Sequence, residues 1–324
     1  TPTPPPTPIV EPPIVTEQIL YLLELINRDR ISEGLGPVVL GDNPAAQEHA
    51  DEMLANGYLS HWELTGLKPY MRYTLAGGFN YEEENVGGPA YPVDEELFIK
   101  KDVRDMLDEL QEGLMNSPGH RRNILSEWHK KVNLGVAFNS VATVVVQQFE
   151  GNYISFDWLP GLADGMLRMS GTTLDGLVVN GVQIRYDQTP HSLTLGQLGQ
   201  TYSYASGIPV AFVRPPPPPG AHYTETHANY TYDLAPVDPY EVAPNTPAIA
   251  FEDPPSSGIA PVVSPRTALV PWVDANVWTV EGSSFSFEVD LATILFGNGV
   301  YTVAIWGEKD GESKALTNYS IFVE

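Results

Sequence analysis

The chain of 324 residues is 42% hydrophobic, carries a formal net charge of −24 and contains no cysteine. Its length exceeds that of an ordinary single domain and predicts two domains. The negative charge is spread along the chain without a basic patch, which argues against a nucleic-acid partner. The missing cysteines exclude disulfides and thiolate metal sites. We expect no transmembrane segment, because the sequence has no run of about 20 apolar residues.

The first 13 residues are rich in threonine and proline, and seven of them are proline. Proline fixes its backbone near the polyproline II region and lacks the N–H that a sheet needs, so we predict an extended tail at 1–13. The sequence begins at Thr1 without a methionine. We interpret this start as a mature end left after removal of a signal or anchor, and we therefore expect an extracellular or cell-surface protein.

Helical periodicity follows the tail. Apolar residues recur at helical spacing after Thr16, which we predict as an N-cap. Asn43 and Pro44 predict the N-cap and first turn of a second helix, which is expected to stop at Gly57. A third helix is predicted over 94–115.

Strand-like runs dominate the remaining sequence. Residues 133–138 and 141–149 are β-prone and predict two strands. After residue 160, short apolar runs alternate with glycine, proline and asparagine, which predicts an antiparallel β-sandwich of immunoglobulin-like type over 161–324. We predict a two-residue hairpin turn at Asn180-Gly181.

A proline- and tyrosine-rich segment at about 214–265 interrupts this β region. We predict an extended arm fastened to a surface, because segments of this length without regular structure are uncommon in compact domains. The tyrosines in and near the arm either fasten it to the sandwich or form a surface that stacks on sugars or peptides. These residues are Tyr202, Tyr204, Tyr223, Tyr230, Tyr232 and Tyr240.

Five short motifs in the first 160 residues occur in a fixed order. The motifs are Asn27-Arg28 with Gly34-Leu35-Gly36-Pro37; Ala50-Asp51-Glu52-Met53 with Ser60-His61; Glu84-Asn85-Val86-Gly87; Ser117-Pro118-Gly119-His120-Arg121-Arg122-Asn123-Ile124-Leu125; and Leu134-Gly135-Val136 with Val145-Val146-Gln147-Gln148-Phe149. In these motifs the chain resembles the CAP superfamily of cysteine-rich secretory proteins, antigen 5 and plant pathogenesis-related proteins, and in particular its disulfide-free bacterial branch.

This resemblance implies an α–β–α sandwich over residues 14–160, so the expected fold class of the whole chain is α+β. It also implies that His61, Glu84 and His120 line a central cleft. The family pattern often adds a second glutamate from the preceding helix, for which Glu112 is a candidate. Asn85, beside Glu84 in the same motif, is a further candidate for contact with a ligand.

The chemistry of the three cleft residues permits two interpretations. Neutral imidazoles bind Zn²⁺ and similar ions, and a neighbouring carboxylate fixes the imidazole tautomer or serves as a third ligand. The residues therefore predict weak binding of zinc or another divalent cation at His61, Glu84 and His120. Alternatively, the same groups hydrogen-bond to one another and only hold three loops together.

Other polar residues give weaker signals. His49 lies on the apolar face of the second predicted helix, and we interpret it as a packed core residue. Ser117 is close to His120 in sequence, but its context is that of a turn at a helix end. A Gly-x-Ser-x-Gly elbow is missing from the sequence, so we do not expect an enzyme.

Three functional hypotheses follow from the sequence. The first is an exported, non-enzymatic CAP-domain protein that binds a divalent metal, a lipid or another small molecule in the cleft; lipids, sterols and metals are among the ligands proposed for the family. The second is a structural subunit of a filament or surface layer, in which the tail at 1–13 docks head-to-tail on the β-rich half of a neighbouring copy. The third is a hydrolase.

Overall fold

The fold is described from a computed structural model. It covers residues 14–89, 102–201, 203–233, 238–244 and 265–324. The predicted tail at 1–13 lies outside the described residues, as do Tyr202 and the parts of the predicted arm at 234–237 and 245–264.

The N-terminal part has three layers. Its elements are α1 (Glu17–Ser32), β1 (Val39–Leu40), α2 (Ala45–Asn56), α3 (Pro69–Leu75), β2 (Glu82–Gly87), α4 (Val103–Asn116), α5 (Pro118–Ile124), β3 (Lys131–Phe138) and β4 (Thr143–Glu150). The four strands form one sheet in the order β1-β3-β4-β2. Helices α1 and α4 pack on one face of this sheet, and α2 and α3 pack on the other. The predicted α–β–α sandwich is therefore confirmed.

The helix ends follow the expected chemistry in two places. The Thr16 hydroxyl accepts a hydrogen bond from the backbone N–H of Ile19 and caps α1. Gly57 ends α2 in the left-handed conformation at φ 67°, which glycine adopts without steric cost. The N-terminus of α2 differs from the prediction, because Pro44 occupies the N-cap position and Asn43 precedes it.

The third predicted helix is shorter in its described part than the sequence indicated. Helix α4 begins at Val103, where the side chain of Asp102 accepts a hydrogen bond from the backbone of Arg104. The earlier part of the prediction, at 94–101, lies outside the described residues.

The two faces of the N-terminal sheet differ in chemistry. Toward α1 and α4 the sheet presents an apolar core that includes Val145 and Phe149. Toward α3 it presents a polar layer, in which Glu84 contacts Arg72 and Glu150 contacts Tyr73. Successive side chains of a strand point to opposite faces of the sheet. The side chain of Glu84, from the glutamate motif in β2, therefore lies beneath α3.

The C-terminal part is a sandwich of two sheets. Its elements are β5 (Ile154–Ala163), β6 (Met166–Thr173), β7 (Val178–Asp187), α6 (Leu195–Leu198), β8 (Ile208–Arg214), β9 (His227–Asp233), β10 (Pro265–Asp274), β11 (Val277–Glu281), β12 (Ser284–Asp290), β13 (Gly299–Lys309) and β14 (Glu312–Val323). The sheets run β14-β13-β7-β8-β10-β9 and β11-β12-β6-β5 and share one apolar core. Most pairs are antiparallel, as predicted, but β8 and β10 pair in parallel.

Two details of this part differ from the sequence analysis. The predicted hairpin turn at Asn180-Gly181 is wrong, because both residues lie inside β7. There Gly181 pairs with Trp306 and Val179 with Gly307, so Asn180 is the extra residue of a β-bulge. The predicted arm contains regular structure, since the whole of β9 pairs with the first seven residues of β10.

The two parts of the chain are joined by hydrogen bonds at β14. The backbone N–H of Tyr81 donates to the carbonyl of Leu316 at 2.9 Å. The side chain of Asn318 accepts from the backbone N–H of Glu82 at 3.2 Å and donates to its carbonyl at 3.1 Å. The C-terminal strand therefore extends the hydrogen bonding of the start of β2.

A buried ion pair forms a second junction. The Lys68 ammonium lies 2.6 Å from Asp187, whose other oxygen accepts from the Tyr70 hydroxyl at 2.7 Å. Strand β5 also crosses the predicted boundary at residue 160, since it starts at Ile154 and pairs with β6. We propose that the boundary between the parts lies near Gly151, between β4 and β5.

Candidate functional site

The first pair of the predicted cluster is in direct contact. His61 lies in the turn after α2, and Glu84 lies in β2 with a fully buried side chain. The Nδ1 atom of His61 is 2.9 Å from Oε1 of Glu84. Because a carboxylate only accepts hydrogen bonds, Nδ1 carries the proton of a neutral His61 and Nε2 keeps its lone pair.

Arg72 is the residue of this cluster that the sequence analysis did not find. Its buried guanidinium, on α3, donates to Glu84 and to the carbonyl of His61 at 2.8 Å. Burial alone would raise the pKa of Glu84, but the charge of Arg72 and the hydrogen bond to His61 together outweigh burial and bring the pKa to about 2. Gln148 also donates to Glu84, at 3.2 Å. Glu84 is therefore an ionised carboxylate whose two oxygens already have partners.

His120 lies on α5 and is the second imidazole of the cluster. Burial, followed by the neighbouring His61, lowers the pKa of His120 to about 4, so the ring is neutral at pH 7. Its Nδ1 atom is buried and has no hydrogen-bond partner among the described residues. His61 and His120 thus place two imidazoles in the same part of the domain.

The two candidate ligand contacts, Asn85 and Glu112, lie in different surroundings. Asn85 is buried, and its amide donates to the carbonyl of His120 and to Gln147, while its oxygen accepts from Asn123. It therefore holds α5 against β2. Glu112 is exposed on α4, because the buried side of that helix is formed by residues such as Gln111.

A tyrosine from the C-terminal part covers the cluster. The hydroxyl of Tyr204 accepts from the backbone N–H of Glu84 at 3.3 Å, and its ring lies 5.1 Å from that of His61. Tyr240 similarly donates from its hydroxyl to the carbonyl of Gly66 at 3.1 Å, and its ring lies 5.5 Å from that of Trp62. These two tyrosines fasten the second part of the chain to the first, which is one of the two roles considered for them.

A second cluster of ligating groups lies beside the first. His49, Glu52 and Glu63 each offer one ligand atom within 4.8 Å of the others, and in the described part of the chain they are the only three acidic or histidine residues that do so. The ligand atoms of His61, Glu84 and His120 do not meet this criterion. The apolar face of the second predicted helix indicated a core position for His49, which is indeed fully buried. No pattern in the sequence singled out Glu52 and Glu63 as ligands.

Comparison with known proteins identifies the N-terminal part. The model of the cysteine-rich secretory protein family, named CAP, matches residues 23–149. This part of the chain is a CAP domain, as its motifs indicated. No curated protein matches the chain. No helix within the described ranges is both long and apolar enough to cross a membrane.

Two solved structures are similar in part. An outer surface protein of Borrelia burgdorferi is 17% identical with a TM-score of 0.34, and the match covers 44% of this chain and 99% of that one. An extracellular SCP-domain protein of Bacillus anthracis is 22% identical with a TM-score of 0.33. That match covers 43% of this chain and 45% of the Bacillus protein, so the chain spans less than half of its length.

Proposed function

We propose that the protein is an exported, non-enzymatic CAP-domain protein that binds a divalent metal ion weakly through His61 and His120. The hydrogen bond from His61 Nδ1 to Glu84, at 2.9 Å, carries this proposal. A carboxylate bonded to one ring nitrogen fixes the tautomer and orients the other nitrogen toward a metal. Glu84 then positions His61 instead of binding the metal itself.

The charges around the cluster explain why binding is weak. Arg72 neutralises Glu84, so the two imidazoles provide the protein's attraction for the ion. Zn²⁺ sites with few protein ligands complete their coordination with water. The metal would supply an acidic, water-binding centre, and the protein residues would orient it and limit its access to solvent.

Titration calorimetry with Zn²⁺ on the chelator-treated chain tests this proposal. We expect the His61→Ala/His120→Ala variant to lose one weak site, while Glu112→Gln on the exposed face of α4 leaves it unchanged. Binding by the parent should weaken as the pH falls toward about 4, where the buried His120 takes up a proton. Unchanged binding in the double histidine variant would contradict the proposal.

The surroundings of Ser117 support the non-enzymatic part of this proposal. This residue precedes α5 as its N-cap, and within the described ranges no hydrogen bond joins its hydroxyl to His120. A serine nucleophile needs such a base within hydrogen-bond reach. The arrangement supports binding over hydrolysis.

Self-association is a second candidate function, supported by an aromatic pocket in the C-terminal part. Trp272, Trp278 and Trp306 line this pocket together with Arg214. Aromatic-lined grooves bind proline-rich segments, which lose little entropy because they are already extended. The pocket is therefore a suitable docking place for the tail at 1–13 of a neighbouring copy.

Light scattering of the full chain at high concentration tests head-to-tail assembly. We expect the intact chain to form particles larger than a monomer, and both deletion of residues 1–13 and Trp272→Ala to return it to a folded monomer. Assembly that persists after the deletion, or an intact chain that stays monomeric, would refute this candidate.

A further inference from the structure

The group formed by His49, Glu52 and Glu63 has the geometry of a built site. His49 and Glu52 lie three residues apart on α2 and therefore share one face of the helix. Glu63 lies in the segment between α2 and α3. One ligand atom from each residue lies within 4.8 Å of the other two. Three different points of the backbone thus bring their side chains to one place.

His49 supplies a free lone pair in this group. Its Nε2 lies 2.8 Å from the carbonyl of Ser60, which can only accept, so Nε2 carries the proton. Nδ1 is then the unprotonated nitrogen, and it is buried without a hydrogen-bond partner among the described residues. His49 is fully buried, so this nitrogen faces the interior of the domain. A buried acceptor without a protein partner requires an explanation, and a bound ion is one that the neighbouring carboxylates favour.

The two carboxylates are held in place but keep free oxygens. Glu52 accepts through Oε1 from the backbone N–H of Leu64 at 2.9 Å. Glu63 accepts through Oε2 from the Thr65 hydroxyl at 3.0 Å. Each carboxylate therefore has one oxygen anchored by the segment after His61 and another available for a ligand. Such anchoring bonds commonly fix the ligands of a metal.

The carboxylates of Glu52 and Glu63 also favour the binding of a cation by this group. The nearest cationic group is the guanidinium of Arg72, which pairs with Glu84 through Nη2. Its Nε atom lies 3.9 Å from Glu63, beyond hydrogen-bond distance, and has no partner among the described residues. Glu52 and Glu63 beside the unpaired Nδ1 atom of His49 form a set of groups that a divalent ion can bind.

We propose that His49, Glu52 and Glu63 form a second divalent-metal site, separate from the His61/His120 site. One imidazole and two carboxylates suit Zn²⁺ or another first-row ion such as Mn²⁺ or Co²⁺. Ligand bonds of about 2.0–2.2 Å require the three atoms to move somewhat closer together. The site shares no ligand with the first one, so it does not depend on the proposed function.

The experiment titrates the chelator-treated full chain with Co²⁺ and Zn²⁺, and reads the Co²⁺ absorption bands and the calorimetric stoichiometry. Glu52→Gln/Glu63→Gln keeps the oxygen acceptors that anchor the segment and removes both charges. We expect this variant to lose one site, with affinity falling at least about 100-fold. Glu48→Gln, on the exposed side of the same helix, is the matched control and should bind like the parent.

The variants separate this inference from the proposed function. The His61→Ala/His120→Ala variant should keep the second site, and X-ray absorption of its bound Co²⁺ should show one imidazole with oxygen donors. The second site would be overturned if the parent binds one ion, and if that binding is lost in the double histidine variant but kept in Glu52→Gln/Glu63→Gln. The second site would also be overturned if the X-ray absorption of Co²⁺ bound to the double histidine variant shows two imidazole ligands. One ion lost only in the double glutamate variant would support the second site and refute the first.

Discussion

At the scale of single residues, Arg72 organises the interior of the CAP domain. Its guanidinium contacts Glu84, the carbonyl of His61 and, at 3.9 Å, Glu63, and so links three segments of the chain. The side chain is 4% exposed, which means that water contributes little to its solvation. Breaking a buried ion pair on one side leaves the other charge without compensation.

We therefore expect Arg72→Met to destabilise the protein by about 3–5 kcal/mol, since it leaves the ionised Glu84 unpaired. Chemical denaturation at pH 7 measures this change. The matched control is Arg121→Met, which removes an exposed pair with Glu33 at 2.8 Å and should cost no more than about 1 kcal/mol. Equal effects of the two substitutions would show that the Arg72 pair is not a stabilising contact.

At the scale of elements, the contact between α2 and β3 is unusually close. Gly135 of β3 lies directly under the backbone of α2, and an added Cβ would overlap the carbonyl group of Ala46. The glycine is required here because helix and strand approach with no space for a side chain. This approach also fixes the position of His49 and Glu52 relative to the sheet.

Gly135→Ala should destabilise the protein by about 1–3 kcal/mol, because α2 must move away from the sheet. The Gly36→Ala control adds its methyl group where no atom lies within 4 Å, so we expect a much smaller effect. Thermal unfolding of both variants measures the difference. If the Gly135→Ala protein is as stable as the parent, α2 is free to shift and does not hold His49 rigidly.

The same elements show how far the sequence predicts this fold. The spacing of apolar residues and the cap at Thr16 predicted α1, and the order of the motifs predicted that His61 and Glu84 meet. The contact of Arg72 with Glu84 was not predictable, because no local pattern links a helix to a strand that follows it after a loop. The hairpin turn predicted at Asn180-Gly181 failed for a related reason. The local preference of these residues for a turn is weaker than the pairing of β7 with β13.

At the scale of the whole molecule, Lys314 joins the two parts of the chain. Its ammonium nitrogen, on β14, lies 3.0 Å from the ring centre of Trp128 and 4.4 Å from that of Tyr153. The nitrogen is buried and has no hydrogen-bond partner among the described residues. Burial lowers the pKa of Lys314 to about 7.

This pKa predicts how stability depends on pH. The folded pKa of about 7 lies below the ordinary value of 10.5, so between these pH values the unfolded chain binds the additional proton. Stability then rises as the pH increases through this range. Comparing the parent at pH 7 and pH 10, we expect a gain on the order of 3 kcal/mol that Lys314→Met lacks.

Denaturation curves of the parent and of Lys314→Met across this pH range measure the difference in their free energies of unfolding. The titration of all other groups cancels in this difference. Lys309→Met, at an exposed position on the same hairpin, should give a pH profile parallel to that of the parent. Parallel profiles for Lys314→Met as well would mean that the ammonium is not desolvated at the junction.

The hydrogen bonds between Asn318 and Glu82 can form only after a long part of the chain between them has been synthesised. Their positions are 236 residues apart, and synthesis at about 5–20 residues/s separates them by about 10–50 s. During that interval β2 leaves the ribosome. The start of its backbone is still hydrated, and its outer edge is unpaired. Such an edge can pair with other nascent chains. The start of this strand therefore stays without these partners until Asn318 has been translated.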